Sequence, residues 1–309
     1  MVYTLSIAPS IDYTLDLGDK ELRVGGVNRP LSKGLSLGGK GITVSRMLKN
    51  LKVDSIPIVA IGGKNGQTIK EMIDKEFKEA IYLDTETESR IDVMITGPSQ
   101  DTRFDPAAPK ITKAGLDKLF DVLNTKLNDK DILVLAGSLG QEDKHLYAEI
   151  IKKCTENKDV TVFLDSVDEA LVNALPTHPF MIKPNQEELS DIIKKDLKTK
   201  DEIITGAKSL KEIGPKSILV TLGKDGAYYF AEDGSIYSCN CATGKQISAV
   251  GAGDSSIAGF IKGVVENKSI EETLIYSMAA GGSTAFSEYL GSFELFEELQ
   301  KQIKVQKIL

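Results

Sequence analysis

The amino-acid sequence predicts an α/β fold with a mainly parallel central sheet. Short β-branched and aliphatic runs alternate with segments whose apolar residues recur at helical spacing along most of the 309 residues. That alternation is typical of βαβ units, in which each helix returns the chain to the next parallel strand. A chain of this length can bury about three quarters of its unfolded surface, so it needs no disulfide or metal for stability.

Six short apolar runs are the predicted strands, and helical patterns lie between them. The strands are Val2–Ile7, Ser55–Ala60, Asp131–Leu135, Val160–Leu164, Phe180–Lys183 and Ser217–Leu222. Apolar residues at i, i+3, i+4 and i+7 predict two helices, one from Val44 to Leu51 and one from Leu116 to Leu123. Further helices are predicted at Asp143–Asn157, Gln186–Asp196, Glu202–Ile213, Ala252–Val265 and Ser269–Glu288.

Two segments, residues 13–37 and 89–109, interrupt this alternation. They contain short alternating pieces divided by turn residues such as Gly25-Gly26 and Pro30. This pattern favours antiparallel strands joined by turns. We therefore expect a single domain over residues 1–309, with these two segments forming a small β lid.

The composition limits the classes of partner. There are 38 Lys and Arg against 45 Asp and Glu, a net charge of −7, which argues against nucleic-acid and anionic-membrane partners. Any bound phosphate must therefore be held by local groups. Two His and three Cys nearly exclude multi-His metal sites and disulfide frameworks. Without a signal-peptide pattern or an apolar run of membrane-spanning length, the sequence predicts a cytoplasmic protein with reduced thiols.

The strongest local signal for function is Gly251-Ala252-Gly253-Asp254-Ser255, where two glycines open a predicted helix. The free N–H groups and positive dipole of a helix start attract anions, and glycine lets a phosphate approach closely. The Asp254 carboxylate would repel that phosphate unless it has its own task, such as accepting a proton from an attacking hydroxyl. An ordinary helix start with an acidic first turn explains this segment equally well.

Three further clusters each have a functional and a structural interpretation. The turn Gly38–Gly41 opens another helix and could hold a sugar, with Lys40 near a phosphate, or be a plain turn. Asn185 and Glu188 could organise Mg²⁺ through its waters, form a capping box, or do both. The stretch Thr221–Gly226 favours a hairpin turn. No Walker A motif and no dinucleotide-binding glycine motif occurs in the sequence.

Together and in this order, the clusters resemble the PfkB family of ribokinase-like carbohydrate kinases. Within that family the sequence is most similar to 1-phosphofructokinases and tagatose-6-phosphate kinases. Each piece is weak alone, whereas the ordered set is specific and covers nearly the whole chain. The matching pieces are Pro9-Ser10-Ile11-Asp12, Val27-Asn28-Arg29, Gly38-Gly39-Lys40-Gly41, Ser89-Arg90, Gly137-Ser138-Leu139, Lys183-Pro184-Asn185 with Glu188, Thr221-Leu222-Gly223 with Gly226, and Gly251-Ala252-Gly253-Asp254-Ser255.

The resemblance implies a three-layer αβα sandwich with a β lid and a kinase that uses ATP and Mg²⁺. It implies transfer of the γ-phosphoryl group to a ketohexose phosphate, with fructose 1-phosphate favoured and tagatose 6-phosphate the other choice. Asp254 would be the base beside the N–H groups of Gly251, Ala252 and Gly253. The implied sugar-phosphate contacts are Asp12, Arg29, Gly38, Gly39, Lys40, Thr43, Arg90, Arg103 and Ser138. The implied ATP contacts are Lys183, Asn185, Thr221, Gly223, Gly226 and Gly253, with Asn185 and Glu188 holding Mg²⁺ through water.

The sequence also departs from the family pattern and leaves two other functions open. Ala8 and Thr43 stand where the family usually has Asn, and Gly140 replaces a proline. One alternative is a kinase of an unphosphorylated sugar or nucleoside. The other is a non-catalytic sugar-phosphate sensor, which would have no use for the base Asp254. The lid is a candidate surface for a homodimer.

Overall fold

Strands and helices alternate along most of the chain in the computed structural model, which describes all 309 residues except the side chain of Asp168. The strands are β1 (Val2–Ser6), β2 (Ser10–Asp16), β3 (Ser32–Gly38), β4 (Ser55–Ile61), β5 (Ile81–Asp84), β6 (Arg90–Thr96), β7 (Thr102–Phe104), β8 (Ile132–Ala136), β9 (Thr161–Asp165), β10 (Met181–Ile182), β11 (Ser217–Thr221), β12 (Ala227–Phe230), β13 (Ile236–Cys239) and β14 (Val305–Lys307). The helices are α1 (Lys40–Asn50), α2 (Gly63–Glu76), α3 (Lys113–Thr125), α4 (Leu146–Thr155), α5 (Asp168–Ala174), α6 (Gln186–Ile193), α7 (Lys200–Lys211), α8 (Ala252–Val265), α9 (Ile270–Ala285) and α10 (Phe293–Gln300).

Ten strands form the central sheet, in the order β14-β13-β12-β11-β10-β9-β8-β1-β4-β5. The strands from β5 to β11 pair in parallel, whereas β12, β13 and β14 add an antiparallel edge. All six predicted strands lie in the parallel part. The prediction of a mainly parallel sheet is therefore confirmed.

The sheet separates two hydrophobic cores because successive strand residues point to opposite faces. In β8, Leu133 and Leu135 pack into the core under α3 to α7. Their neighbours Ile132 and Val134 pack into the core under α1, α8, α9 and α10. This alternation gives the predicted three layers, with a sheet between two sets of helices.

Helical periodicity predicts seven of the helices, which are present as α1, α3, α4, α6, α7, α8 and α9. Helices α2, α5 and α10 are not predicted. In α2 only Gly66, Ile69 and Ile73 are buried, so its apolar signal is weak, and α5 is only seven residues long. Among the residues that the structure describes, no helix is long and apolar enough to cross a membrane.

A second sheet, in the order β3-β2-β6-β7, forms the lid. Two details differ from the prediction: the lid begins at Ser10, and β2 pairs with β6 in parallel rather than antiparallel. The parallel pairing arises because α1, β4, α2 and β5 intervene between the lid halves, which is a crossover and not a hairpin. Residues 105–109 contain two prolines and form no strand.

Candidate active site

Most predicted site residues gather where the carboxyl ends of the parallel strands meet the lid. Ligands of open α/β sheets bind in the crevice at this edge. A cavity of about 720 Å³ lies there between the sheet, the lid and the starts of α1 and α8. The predicted residues that line it are Asp12, Gly38, Gly39, Lys40, Thr43, Arg90, Arg103, Ser138, Gly251 and Asp254.

Asp254 lies in the first turn of α8 and is 8% exposed. The helix starts at Gly251, whose φ of 78° is favourable only for glycine, and no described side chain caps it. Apart from Ala252 N, which donates to Ala249 O at 3.3 Å, its first N–H groups are available to an anion. Burial, and then the negative charge of Asp165, raise the pKa of Asp254 to about 7, although Lys40 and Lys183 act in the opposite direction. A carboxylate with this pKa suits proton acceptance near neutral pH.

The raised pKa of Asp254 predicts a pH dependence of the free enzyme. We expect kcat/KM for the sugar substrate to rise with pH through about 7, because only the ionised carboxylate accepts a proton. A pH profile of the wild-type enzyme checks this, with protein stability and coupling enzymes controlled at each pH. If kcat/KM instead rises at about pH 4, the ordinary carboxyl pKa, burial does not raise the pKa of Asp254 in the active enzyme.

Asp165 ends strand β9 and was not predicted as a site residue. Its Oδ2 lies 3.2 Å from Lys40 Nζ and its Oδ1 lies 3.4 Å from Lys183 Nζ. Burial alone would raise the pKa of Asp165, but the two lysines outweigh it and hold the pKa below its usual value. One sequence signal could have identified Asp165. It is an acidic residue at the carboxyl end of a buried strand, and Lys183 stands at the same level on the next strand.

Lys183 joins this group to the start of α8. Its Nζ lies 3.1 Å from the position that a Cβ on Gly253 would occupy. Lys183 is 7% exposed, and its ion-pair partner is Asp165. Lys40, Lys183 and Asp165 thus bring two positive charges and one negative charge close to the carboxylate of Asp254.

On the lid side, Asp12 depends on the glycine opposite it. Ser10 Oγ donates to Asp12 Oδ1 at 2.5 Å, and Ser10 pairs with Gly38 across β2 and β3. A Cβ on Gly38 would overlap both of these oxygens. Burial is the main reason that the pKa of Asp12 is raised. The glycine at position 38 thus makes room for the carboxylate that faces the cavity.

Gly38→Ala should therefore displace the Asp12 carboxylate. We expect KM for the sugar substrate to rise by about 10- to 100-fold, the worth of hydrogen bonds to a charged group. Steady-state kinetics would measure this, and KM for ATP should not change.

Gly34→Ala is the matched control for this variant. Gly34 lies on the same strand, but a Cβ there would make only an ordinary contact, 3.8 Å from Thr14 Cβ. Equal effects of the two substitutions would contradict the role given to Gly38.

Arg90 and Arg103 line the cavity and are both paired with carboxylates that were not predicted. Arg103 Nε donates to Asp92 Oδ2 at 2.8 Å, and its Nη2 contacts the same oxygen. Arg90 Nη1 pairs with Asp105, and its Nη2 donates to the carbonyl oxygen of Ala8 at 3.0 Å. The lid wall of the cavity thus carries two arginines, each with an acidic partner.

Several predicted site residues lie outside the cavity lining. Arg29 is exposed, in a segment without regular structure before β3. At the start of the hairpin that follows β11, Thr221 N donates to Pro184 O at 3.1 Å. Strands β11 and β12 are antiparallel, so the hairpin predicted here is confirmed. The remaining residues outside the lining are Ala252, Gly253, Lys183, Asn185, Glu188, Thr221, Gly223 and Gly226.

Asn185 and Glu188 form the capping box that the sequence left as one alternative. Glu188 N donates to Asn185 Oδ1 at 2.8 Å, and Asn185 N donates to Glu188 Oε2 at 2.8 Å. Glu188 also lines a larger cavity of about 830 Å³ beside α5, which contains no other predicted site residue. Within the described residues no group of three or more His, Cys, Asp or Glu could hold a metal ion.

The fold is shared with carbohydrate kinases. The pfkB family carbohydrate kinase model matches residues 7–293, and the chain belongs to that family. It is 33% identical over 309 residues to the 1-phosphofructokinase of Bacillus subtilis, covering all of both chains. It is 29% identical over 314 residues to a tagatose-6-phosphate kinase of Staphylococcus epidermidis, again covering all of both.

A solved structure supports the same fold. The chain superposes on a mutant of phosphofructokinase-2 from Escherichia coli with a TM-score of 0.90 at 24% identity, covering 97% of this chain and 98% of the other. The predicted ribokinase-like fold and the predicted sugar-phosphate kinase class are confirmed.

Proposed function

We propose that this kinase transfers the γ-phosphoryl group of ATP to the 6-hydroxyl of fructose 1-phosphate. The observation that carries the proposal is a carboxylate, Asp254, at an uncapped helix start in a cavity whose opposite wall holds Arg90 and Arg103. The activity named for the Bacillus subtilis relative supports fructose 1-phosphate over tagatose 6-phosphate. The two arginines favour a phosphorylated sugar over a free sugar or nucleoside.

In this proposal each wall of the cavity has one task. Asp12 and the Gly38-Gly39 turn bind the sugar hydroxyls, and Asp254 accepts the proton of the attacking hydroxyl. The N–H groups of residues 251–253 hold the transferring phosphoryl group, with Lys40 and Lys183 adding positive charge. Phosphoryl transfer needs mainly positioning and charge stabilisation, so these groups are sufficient.

ATP would lie on the side of Lys183 and the Thr221–Gly226 turn. Mg²⁺ usually keeps several waters and uses few protein oxygens. The Asn185 and Glu188 oxygens fit that requirement, because the capping box fixes both side chains and leaves Glu188 Oε1 outside it. Burial lowers the pKa of Lys40, but nearby carboxylates, first Asp165, outweigh it and raise the pKa. Glu188 is close enough to be one of these carboxylates. When bound, Mg²⁺ would neutralise charge on the ATP phosphates.

An ADP-release assay across several acceptors tests the proposal. We expect the highest kcat/KM for fructose 1-phosphate among fructose 1-phosphate, fructose 6-phosphate, tagatose 6-phosphate and free fructose. A preference for tagatose 6-phosphate would keep the kinase class and change the substrate. Equal activity on free fructose would refute the phosphate subsite, and sugar-phosphate binding without ADP release would favour a sensor.

A second proposal concerns the outer face of the lid. Leu35, Val93 and Phe104 form one row across the lid sheet, because Tyr13 pairs with both Leu35 and Val93, and Val93 pairs with Phe104. Leu35 is 52% and Phe104 is 55% exposed. An apolar row of this kind marks an interaction surface. We propose that the lid of a second copy of the chain covers it.

Leu35→Asp combined with Phe104→Asp should convert the proposed dimer to a monomer, because charge on the row prevents its burial. Light scattering after gel filtration measures the mass. Ile213→Asp is the control, since Ile213 is 48% exposed and lies outside the lid. A monomeric wild-type protein would contradict the proposal.

We also propose a cytoplasmic location for the enzyme. The three cysteines are free thiols, as expected in a reducing compartment. The ATP that the kinase uses supports the same compartment. Fractionation of the source cells with a specific antibody would test it.

A further inference from the structure

The two arginines of the cavity have carboxylate partners of different character. Asp92, the partner of Arg103, lies within β6 and its side chain is 3% exposed. Asp105, the partner of Arg90, follows β7 in a segment without regular structure, and its side chain is 50% exposed. One carboxylate is built into the sheet, whereas the other is accessible to solvent.

The Arg103–Asp92 pair is joined at two points. Arg103 Nε lies 2.8 Å from Oδ2 and 3.1 Å from Oδ1 of Asp92, and Nη2 also contacts Oδ2. Asp92 is in turn fixed beside Asp12, its partner in the β2–β6 register. Two-point contact fixes the plane of a guanidinium group. Nη1 of Arg103 lies outside this contact, and Arg103 is 52% exposed at the cavity wall.

Arg90 is held differently. Its Nη2 donates to Ala8 O at 3.0 Å and its Nη1 donates to Pro106 O at 3.1 Å, so protein carbonyls fix its position. Its buried Nε has no hydrogen-bond partner among the described residues. Asp105 is the anion that contacts this otherwise carbonyl-bound cation. An unsatisfied donor on a buried arginine indicates a site whose polar contacts are completed by something else.

We propose that Asp105 takes the place of the substrate phosphate on Arg90 in the free enzyme, and that the phosphate exchanges with it while Asp92 stays on Arg103. This inference rests on the proposed function. A phosphate dianion carries more charge and more acceptor oxygens than one half-exposed carboxylate, so it displaces Asp105. The movement is confined to the side chain of Asp105, so the carbonyl oxygens of Ala8 and Pro106 keep their contacts with Arg90.

The exchange makes Asp105 a determinant of substrate selectivity. The apparent affinity for the sugar phosphate is the intrinsic affinity multiplied by the fraction of enzyme whose site is free. An internal anion on Arg90 lowers that fraction. Only a ligand with a phosphate has to displace it, so removal of the carboxylate should affect sugar phosphates and leave free sugars unchanged.

Asp105→Asn tests the exchange. We expect KM for fructose 1-phosphate to fall about two- to fivefold, which is the range for a partly exposed ion pair. KM for ATP and for free fructose should stay the same. Asp101→Asn is the matched control, because Asp101 is exposed at the other end of β7 and has no ion-pair partner among the described side chains. An unchanged or increased KM for fructose 1-phosphate in Asp105→Asn would overturn the proposal.

Asp92→Asn should act in the opposite direction. Loss of the two-point contact should raise KM for fructose 1-phosphate about tenfold, with thermal unfolding used to confirm that the variant is folded. A lower KM would contradict the division between the fixed and the exchangeable carboxylate.

A direct binding measurement separates this inference from the proposed function. If the wild-type enzyme releases no ADP with any sugar phosphate, the proposed function fails. Titration calorimetry with inorganic phosphate still tests the exchange, which requires tighter binding to Asp105→Asn than to wild type. Equal or weaker phosphate binding would overturn it.

Discussion

Asp254→Asn should lower kcat by about 10³-fold or more, while ATP still binds. The amide cannot accept the proton of the attacking hydroxyl, and loss of a general base alone costs on the order of 10²–10⁴ in rate. Steady-state kinetics and ATP titration of the same protein preparation measure the two effects. Near-normal turnover would disprove the assignment of the base.

The same variant should be more stable than the wild type at pH 8. The pKa of Asp254 is raised in the folded state, so the folded protein binds the extra proton and loses stability as pH rises from about 4 to 7. Asn does not ionise, and the difference should disappear below about pH 4. Thermal unfolding across this pH range measures it, with the exposed Asp121→Asn as control.

Asp165→Asn should have the second largest effect, which is on stability. Lys183 and Lys40 would lose their shared counter-charge, and breaking a buried pair in this way costs about 3–5 kcal/mol. The pKa of Asp165 is lowered in the folded state, so its contribution is present above about pH 4 and lost as pH falls. Urea unfolding at pH 7 measures the loss of stability, and unfolding well below pH 4 measures how far the difference from the wild type disappears.

Removal of one positive charge provides the control for Asp165→Asn. Asp165→Asn combined with Lys40→Met should recover part of the lost stability if the cause is unpaired charge.

The single variant Asp165→Asn should also lower the pKa of Asp254, because Asp165 helps to raise it. An acid limb that stays in place would contradict the coupling between these two carboxylates.

The sequence predicted the central fold well because its strands are buried on both faces and therefore form continuous apolar runs. Val2–Ile7 and Ser217–Leu222 differ from β1 and β11 by one residue at one end. Helix α8 has the predicted bounds because two glycines and an acidic first turn define its start. The lid was predicted less well, since the partner of β2 depends on a crossover that no local pattern records.

The candidate site was predicted where chemistry and local spacing coincide, as in Asp254 and the Gly38–Gly41 turn. Asp165 was missed because it acts through Lys40, which is distant in sequence, and Asp92 and Asp105 were missed because their contacts with Arg103 and Arg90 depend on the register of β6 and β7. Lys40 and Asp165 are 125 residues apart. The Lys40–Asp165 pair follows from the order of strands in the sheet and not from any one segment. The roles given to all of these residues stay predictions until the variants are measured.

The parallel pairing of β2 with β6 constrains the order in which the molecule folds. Its partners are about 80 residues apart, and α1, β4, α2 and β5 lie between them. The lid therefore has no local hairpin that joins its two central strands, and closing so long a loop costs entropy that only later contacts offset. We expect the α/β core to form first and the lid to assemble on it. Pulsed hydrogen exchange during refolding should protect amides of β1 and β4 before those of β2 and β6.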